Sequence, residues 1–323
     1  MKSLTRAEAA GFLLSHDNFC ILTHRRPDGD TIGSAAALCR GLRYLGKNAH
    51  VLENPEVTER FSWLLEDLTQ PEALTQPEAL ENDTVVCVDV ASSGMLPKCF
   101  APLAERCKLR IDHHGSAESF TEQELVDPMS ASCAELVCDV LTILGIELDR
   151  TIGEAVYVGA STDTGCFRYS NTTAHTFMIA SLCARVGVDV FRLNQQLFET
   201  NSLAKLRMHA WMVENMKLMD DGRLAIVAIP RAVEDLLGVT EDDMDNISSY
   251  PRTVEGVCMA ATLRQTKFGD TKISVRAVPG YDAAAVCAAF GGGGHKGAAG
   301  ATTSATLEET VTRLEQIMLE MAP

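Results

Sequence analysis

The sequence predicts an α/β protein with two domains, on three observations. The first half alternates short apolar runs with helix-like segments, a pattern that favours a mainly parallel sheet flanked by helices. Beyond residue 220 the pattern changes to strand-like alternation and a final amphipathic run, which predicts a smaller mixed α/β domain. The length of 323 residues is sufficient for two domains. We therefore expect a first domain over 1–195, a helical linker over 196–220 and a second domain over 221–323.

Local patterns predict the elements of the first half. Apolar runs predict strands at Phe19–Thr23, Ala49–Glu53, Thr84–Asp89 and Lys108–Ile111, with a turn near Gly159. A helix over Ile32–Leu45 is expected to end at Gly46, because glycine terminates helices readily. A second helix over 130–144 has Ser132 and Glu135 at the spacing of a capping box.

The second half has its own signals. Alternation predicts strands at Arg223–Ile229, Val254–Leu263 and Thr271–Val278. The segment Lys267–Asp270 is typical of a hairpin turn. A closing helix is expected to be capped by Thr306, with Glu309 three residues later. The polar, helical pattern of 194–219 is what favours a connector between the domains.

Composition and net charge limit the class of protein and the partners that we expect. The hydrophobic fraction of 46% and the charged fraction of 22% are ordinary for a soluble globular protein. The net charge of −16 repels nucleic acid and anionic membrane, so neither duplex DNA nor a membrane is an expected partner. The 11 cysteines include no Cys-x-x-Cys pair, which favours reduced thiols and a cytoplasmic location. A hexapeptide at 68–73 is repeated at 74–79; two copies are too few for a repeat fold, and we expect a surface loop without function.

The most informative segment follows the first predicted strand. His24, Asp28 and Asp30 fall within seven residues, and Gly29 allows the backbone to turn sharply. Imidazole mixed with carboxylates suits Mn²⁺ or Mg²⁺ better than the thiolate-rich sites that zinc favours. A helix beginning near Thr31 would also point free N–H groups at this space, which favours an anion. A loop of solvated aspartates is the alternative at this point.

Three further segments offer ligands of the same kind. Asp89 and the triplet Asp112-His113-His114 each follow a predicted strand, and ligands gather at the carboxyl ends of parallel strands. Asp163 lies in a polar turn. Two histidines after an aspartate are rarely structural, since one can bind metal while its neighbour contacts the substrate, and the aspartate can hold an imidazole in the needed tautomer. So many carboxylates share a pocket only if cations neutralise them, which indicates a two-metal hydrolase. The other histidines of this half and the connector, expected on the surface or in packing, are His16, His50, His175 and His209.

The second domain contains a glycine-rich run, Gly291–Gly300. Glycines such as Gly293 and Gly294 let backbone amides approach a phosphate closely, and His295 and Lys296 add charge. A flexible linker is the alternative, although a linker rarely places His and Lys so close together.

Another candidate for phosphate binding is a predicted strand. Ser274 and Arg276 share one face of that strand by period-two spacing. Arg276 could donate two hydrogen bonds to a phosphate. An exposed strand arginine without a ligand explains the same pattern equally well.

Together these motifs resemble the DHH phosphoesterase family with a C-terminal DHHA1 domain. The matching segments are His24–Ser34, Asp89, Asp112–His114, Asp163–Gly165 and, for DHHA1, Gly291–Gly300. The two-domain plan is similar to that of the NrnA-type bifunctional enzymes. The resemblance implies hydrolysis of short RNA oligonucleotides and removal of the 3′-phosphate from adenosine 3′,5′-bisphosphate (pAp).

The resemblance also implies two divalent cations, with Mn²⁺ expected and Mg²⁺ the alternative. The implied ligands are His24, Asp28 and Asp89 for one ion, and Asp30, Asp89, His113 and Asp163 for the other. A water between ions about 3.5–4 Å apart would be the nucleophile. His114 would stabilise charge on phosphoryl oxygens and Asp112 would orient other groups of the site, so both are catalytic candidates with Asp89. The implied substrate-binding residues are Arg276, Ser274, His295, Lys296, Gly293 and Gly294.

Two other functions remain open on the sequence. A phosphodiesterase for cyclic or linear dinucleotides, such as cyclic-di-AMP or pGpG, would use the same metals. A non-catalytic protein that binds nucleotides or single-stranded RNA would use the same scaffold, although a protein that has lost catalysis usually loses a ligand. A homodimer is compatible with the sequence.

Overall fold

The computed structural model describes residues 2–70, 80–115, 119–244 and 246–322, and the chain forms two units, Met1–Thr200 and Asn201–Pro323. Most of the repeat predicted as a surface loop, 71–79, lies outside the described residues. None of the helices in the described ranges is long and apolar enough to cross a membrane.

The first unit is built on a parallel sheet, as predicted. Its strands are β1 (Lys2–Ser3), β2 (Phe19–Leu22), β3 (Ala49–Leu52), β4 (Thr69–Gln70), β5 (Thr84–Val88), β6 (Cys107–Asp112) and β7 (Gln123–Val126). Their order in the sheet is β1-β7-β6-β5-β2-β3-β4, and every pairing among these described strands is parallel. The four strands predicted from apolar runs are confirmed within one or two residues at each end.

Both faces of this sheet are covered. The helices of the unit are α1 (Arg6–Ser15), α2 (Gly29–Tyr44), α3 (Glu59–Ser62), α4 (Ala101–Ala104), α5 (Cys133–Ile143), α6 (Arg150–Asp163), α7 (Ala174–Arg185) and α8 (Val190–Asn194). Along β2, Phe19 and Ile21 join the apolar core formed with α1, α2, α5 and α6, whereas Cys20 and Leu22 join a second core that includes α4 residues. Burial on both faces explains why these strands read as continuous apolar runs.

One expectation for this unit is wrong. The turn expected near Gly159 is the interior of helix α6. A Cβ at Gly159 would lie 2.9 Å from Asp30 Oδ1, and a Cβ at Gly33 in α2 would collide with the carbonyl of Ala155 in α6. These glycines therefore serve the close packing of α2 against α6, which overrides the weak helix propensity of glycine.

The second unit is a mixed α/β structure, as predicted. Its strands are β8 (Lys217–Met219), β9 (Leu224–Ile229), β10 (Met259–Gln265), β11 (Thr271–Ala277), β12 (Gly293–His295) and β13 (Ala298–Thr303). Their order is β12-β13-β11-β10-β9-β8, with β9 and β10 parallel and the other described pairs antiparallel. The strand expected from Val254 begins instead at Met259, because Gly256 adopts a φ of +86° in a preceding turn.

Helices cover parts of the second sheet. They are α9 (Leu203–Glu214), α10 (Arg231–Leu237), α11 (Ala283–Ala288) and α12 (Leu307–Met321). A π-helical turn at Gln195–Glu199 precedes them at the end of the first unit. The capping box of Thr306 and Glu309 at the start of α12 is confirmed. Within the predicted linker 196–220, Met208 and Met212 of α9 are fully buried and pack with Val227. The boundaries of the domains at 195 and 220 stay a prediction.

The contact between α2 and α6 makes a stability prediction. Gly159→Ala should lower the free energy of unfolding by about 1–3 kcal/mol, because the added methyl group has no space between Ala134 and Asp30. Gly11→Ala is the matched control, since Gly11 lies in α1 with no atom within 4 Å of an added Cβ, and it should be neutral or stabilising by up to about 1 kcal/mol. Urea unfolding of both variants measures this; equal stability of the two would contradict the close packing.

Candidate metal centre

Five segments of the first unit bring their side chains to one edge of the sheet. His24 follows β2, Asp89 follows β5, and Asp112 ends β6, and these three strands lie next to one another in the order β6-β5-β2. Helix α2 begins beside them with Asp28 and Asp30, and Asp163 is the last residue of α6. Because parallel strands share one carboxyl edge, residues far apart in sequence meet there.

Two imidazoles face the carboxylates through their Nε2 atoms. His24 Nε2 lies 3.6 Å from Asp28 Oδ1 and 3.5 Å from Asp89 Oδ2. His113 Nε2 lies 3.7 Å from Asp30 Oδ2, 3.5 Å from Asp89 Oδ1 and 3.6 Å from Asp163 Oδ2. Asp89 therefore turns one carboxylate oxygen toward each histidine.

The other ring nitrogen of each histidine is held by a backbone carbonyl. His24 Nδ1 lies 2.8 Å from the carbonyl oxygen of Arg25, and His113 Nδ1 lies 3.3 Å from that of Ser130. When Nδ1–H donates to a carbonyl, the neutral ring presents the lone pair of Nε2 to the carboxylate cluster. This is the tautomer that a metal ligand requires.

The spacing of these atoms fits divalent cations. Separations of 3.5–3.7 Å are too long for strong direct hydrogen bonds. Two ligands at about 2.1 Å from a shared ion lie roughly 3–3.5 Å apart, close to what is observed. In addition, Asp89 Oδ1 is buried and has no hydrogen-bond partner among the described residues. A buried acceptor without a partner is costly, and a cation would satisfy it.

The pKa values reflect the crowding of like charges. Burial, together with the negative charge of Asp30, raises the pKa of Asp89 well above its usual range. Burial and the charges of Asp30 and Asp28 raise the pKa of Asp163 to about 8. Burial alone would lower the pKa of His24, but Asp28 and Asp89 outweigh it and raise this pKa to about 11. Without cations the cluster therefore holds extra protons, which divalent ions would displace.

Asp30 is positioned by a helix 100 residues away in sequence. The backbone N–H of Cys133 donates to Asp30 Oδ2 at 2.7 Å, and that of Ala134 donates to Oδ1 at 2.9 Å. Both amides belong to the first turn of α5, whose positive dipole end favours a carboxylate. The sequence predicted the start of this helix through Ser132, but it carried no signal that α5 would meet Asp30.

Asp89 sits in an unusual backbone conformation. Its φ is +57°, in the left-handed region, and its N–H donates to the carbonyl of Ile111 in β6 at 2.9 Å. Aspartate and asparagine tolerate this region better than other residues with a Cβ. The left-handed conformation of Asp89 is therefore a local backbone strain, fixed by its hydrogen bond to β6, and strain of this kind is found at functional sites.

The triplet places its three side chains differently. Asp112 Oδ1 accepts hydrogen bonds from His114 Nδ1 at 2.8 Å and from the backbone N–H of His113 at 2.8 Å. The His114 side chain is 32% exposed, against 13% for His113, so His114 is the histidine nearer to solvent. Arg110, two residues earlier on β6 and fully buried, lies 3.9 Å from Asp112 Oδ2. The sequence did not single out this arginine.

Two local expectations need correction. Helix α2 starts at Gly29 and not near Thr31, and Asp28 Oδ1 accepts from the N–H groups of Asp30 and Thr31 at 3.1 Å each. The expected anion site at this helix end is thus filled by the chain's own carboxylate, because Asp28 is the N-cap residue. Asp163 does not lie in a turn, which begins only at Thr164.

The predicted phosphate-binding residues lie on the second sheet. His295 of β12 pairs with Ala298 of β13, which pairs with Arg276 of β11. Gly300 of β13 pairs with Ser274 on one side and with Gly293 on the other. Because residues that pair across strands lie on the same face of a sheet, Ser274, Arg276 and His295 share one face.

The glycine run forms a hairpin at the edge of the sheet, and its role in phosphate binding stays a prediction. Gly294, in β12, has a φ of +143° and no space for a Cβ beside Ala299. Lys296 is exposed in the turn before β13. The close backbone approach that the glycines permit is therefore to a neighbouring strand.

Comparison with known proteins identifies the family of both parts of the chain. Residues 18–160 match the family described as DHH family, N-terminal domain, and residues 228–320 match the DHHA1 domain. The chain is 33% identical over 282 residues to the bifunctional oligoribonuclease and PAP phosphatase NrnA of Thermus thermophilus, covering 87% of this chain and 83% of that protein.

Solved structures show the same fold. An exopolyphosphatase-related protein from Bacteroides fragilis has a TM-score of 0.89 and 24% identity, covering 98% of this chain and 96% of that one. RecJ of Thermus thermophilus in complex with Mn²⁺ has a TM-score of 0.56 and 14% identity, covering 97% of this chain and 54% of that one. The chain therefore belongs to the DHH family with a DHHA1 domain, and it is a phosphoesterase related to the proteins named NrnA.

Proposed function

We propose that this enzyme is a two-metal phosphoesterase that hydrolyses short RNA oligonucleotides to mononucleotides and converts pAp to AMP. The observation that carries the proposal is Asp89, whose two oxygens face two separate groups of imidazole and carboxylate ligands. The Thermus thermophilus relative is named for both activities. A net charge of −16 supports small substrates over duplex DNA. A cytoplasmic location belongs to the same proposal, since the 11 cysteines are free among the described residues.

The proposed ligand sets follow the two groups of donors. His24, Asp28 and Asp89 would hold one ion, and Asp30, His113, Asp163 and Asp89 would hold the second. Mixed imidazole and carboxylate donors favour Mn²⁺ over Mg²⁺, which prefers oxygen and water ligands. When bound, such ions supply positive charge for the phosphate and make water a nucleophile near neutral pH.

The side chains of the protein have complementary tasks in this proposal. Asp112 holds His114 through Nδ1, so His114 Nε2 is the nitrogen left to face a phosphoryl oxygen, to which it donates when the ring is protonated. The first turn of α5 keeps Asp30 in place, so that this carboxylate does not have to reorganise during the reaction. Asp89 links the two groups of ligands and thereby sets their separation.

The second unit would bind the part of the substrate that is not cleaved. Arg276, Ser274 and His295 share one face of the sheet, where a guanidinium, a hydroxyl and an imidazole suit a second phosphate or a neighbouring nucleotide. Gly293, Gly294 and Lys296 belong to the adjoining hairpin and complete the proposed substrate-binding set.

A substrate panel tests the proposed function directly. With Mn²⁺, the enzyme should release phosphate from pAp and mononucleotides from RNA of two to five nucleotides. Cyclic-di-AMP and pGpG in the same panel test the dinucleotide alternative, and turnover of these alone would overturn the substrate assignment. Binding without turnover of any of them would favour the non-catalytic alternative.

The first variant to measure is Asp89→Asn. Asparagine tolerates the left-handed backbone but has one neutral oxygen in place of two anionic ones, so both ions should bind more weakly and kcat/KM should fall by about 100-fold or more. The matched control is Asp67→Asn, since Asp67 is an exposed aspartate with a φ of +61° outside the centre. Metal content and turnover of both variants are measured together; normal turnover by Asp89→Asn at full occupancy would refute the ligand assignment.

Metal binding should release protons. Asp163, with a pKa of about 8, Asp89, with a raised pKa, and His24, with a pKa of about 11, hold protons near neutral pH in the metal-free enzyme, and ligation removes them. The affinity for Mn²⁺ should therefore increase as the pH rises through about 8. Calorimetry in two buffers of different ionisation enthalpy counts the protons. Asp163→Asn should release fewer protons than the parent enzyme when Mn²⁺ binds. Asp127 pairs with Arg6, so the control Asp127→Asn should release as many protons as the parent. Binding without any proton release would contradict the expected protonation.

Arg276→Ala tests the role of the second sheet. Loss of a charged hydrogen bond to the second phosphate should raise the KM for pAp by about 10-fold or more, with a smaller effect on kcat. Lys272→Ala is the matched control, because Lys272 is a cation on the same face of β11 and precedes Arg276 by four residues. An unchanged KM for pAp in Arg276→Ala, when KM approximates Kd, would remove Arg276 from the substrate-binding set.

A further inference from the structure

A second group of potential metal ligands lies at the opposite edge of the first sheet. Cys20 belongs to β2, His50 to β3, and Asp83 immediately precedes β5, and these three strands are neighbours in the order β5-β2-β3. Cys20 pairs directly with His50, so their side chains share a face. His24 lies four residues beyond Cys20, about 13 Å along an extended chain, so this group is separate from the centre around Asp89.

The three side chains converge within the protein. One ligand atom from each of Cys20, His50 and Asp83 lies within 4.8 Å of the other two, and His50 Nε2 lies 3.6 Å from Asp83 Oδ2. Cys20 is fully buried and His50 is 3% exposed, whereas the Asp83 side chain is 13% exposed. The group thus has two buried members, Cys20 and His50, and one that is partly exposed, Asp83.

The imidazole of His50 supplies the observation that points to a ligand. Its Nε2 atom is buried and has no hydrogen-bond partner among the described residues, although it faces a carboxylate and a thiol. A buried ring nitrogen without a partner is destabilising, because it has lost its hydrogen bond to water. A cation between the three side chains would remove that cost, and 3.6 Å between nitrogen and oxygen is close to the spacing of two ligands on one ion.

We propose that Cys20, His50 and Asp83 form a second cation site that selects Zn²⁺ and joins three strands at the amino edge of the sheet. Sulfur, nitrogen and oxygen in one set suit the borderline-soft Zn²⁺, whereas the ligands around Asp89 include no sulfur. Arg106 acts electrostatically on Cys20 and Asp83, and Arg43 acts on His50, so a divalent ion here has two positive neighbours. Once the ion has displaced the thiol proton, the Cys20 thiolate and the Asp83 carboxylate would offset those charges. The proposal is independent of the reaction proposed above.

Cobalt is the probe that separates the two metal sites. Co²⁺ bound to a thiolate shows a charge-transfer band in the near ultraviolet, and the groups of potential ligands around Asp89 that the described residues form include no cysteine. The full chain, with Mn²⁺ already present, should develop this band with one Co²⁺ per chain, and Zn²⁺ should abolish it by displacement. The thermal midpoint of unfolding should rise when Zn²⁺ is added, because an ion that binds the native state stabilises it.

Matched variants decide the outcome. Cys20→Ser should eliminate the band, and His50→Gln and Asp83→Asn should each weaken Co²⁺ binding by at least about 10-fold. Cys39→Ser, which changes a buried thiol of α2 outside the group, and Asp89→Asn should both retain the band. No band in the parent protein, a band that survives Cys20→Ser, or undiminished affinity in His50→Gln would each overturn the proposal. Because His50→Gln and Asp83→Asn leave the thiol in place, the test does not depend on the folding of the Cys20 variant.

Discussion

The close approach of helices α2 and α6 is the contact on which the metal centre depends. Gly33 and Gly159 remove the side chains that would hold the two helices apart, and Gly159 lies directly against Asp30. As a result the start of α2, which carries Asp28 and Asp30, comes beside the end of α6, which carries Asp163. A larger side chain at either glycine would displace carboxylates as well as weaken the packing.

That packing concentrates negative charge, and the rest of the site compensates for it. The N–H groups of the first turn of α5 hold both oxygens of Asp30, and the N–H groups of Asp30 and Thr31 hold Asp28. Among the described residues Asp89 has no comparable donor for its Oδ1 atom, and burial together with the charge of Asp30 raises its pKa. Backbone N–H groups therefore satisfy Asp28 and Asp30, whereas Asp89 Oδ1 is left without a donor among the described residues. A rigid, close-packed interior cannot relax to separate these carboxylates.

The two edges of the same sheet carry different chemistry. The carboxyl edge presents oxygen and nitrogen donors on loops and helix ends, where strands of a parallel sheet normally bind ligands. The amino edge presents a thiol, an imidazole and a carboxylate from the strands themselves and the segment before β5. If both edges bind cations, the first unit is joined by metal at both ends of its central strands, and its stability depends on ions as well as on its apolar core.

The sequence alone was sufficient to predict the fold class, the positions of the central strands, and which polar residues follow those strands at the carboxyl edge. Parallel strands are apolar on both faces, and a polar residue after such a run stands out, which is why His24, Asp89 and Asp112 could be identified. Local capping patterns likewise predicted the starts of α5 and α12.

Only the tertiary structure decided which partners those residues have. Helix α6 was missed because Gly159 has a low helix propensity, and its role is a contact with α2 more than 100 residues away in sequence. The contact of Asp30 with α5, the buried Arg110 beside Asp112, and the meeting of Cys20, His50 and Asp83 also join distant segments. Local spacing reports the periodicity of a strand or helix, whereas contacts of this kind arise only when several elements pack together.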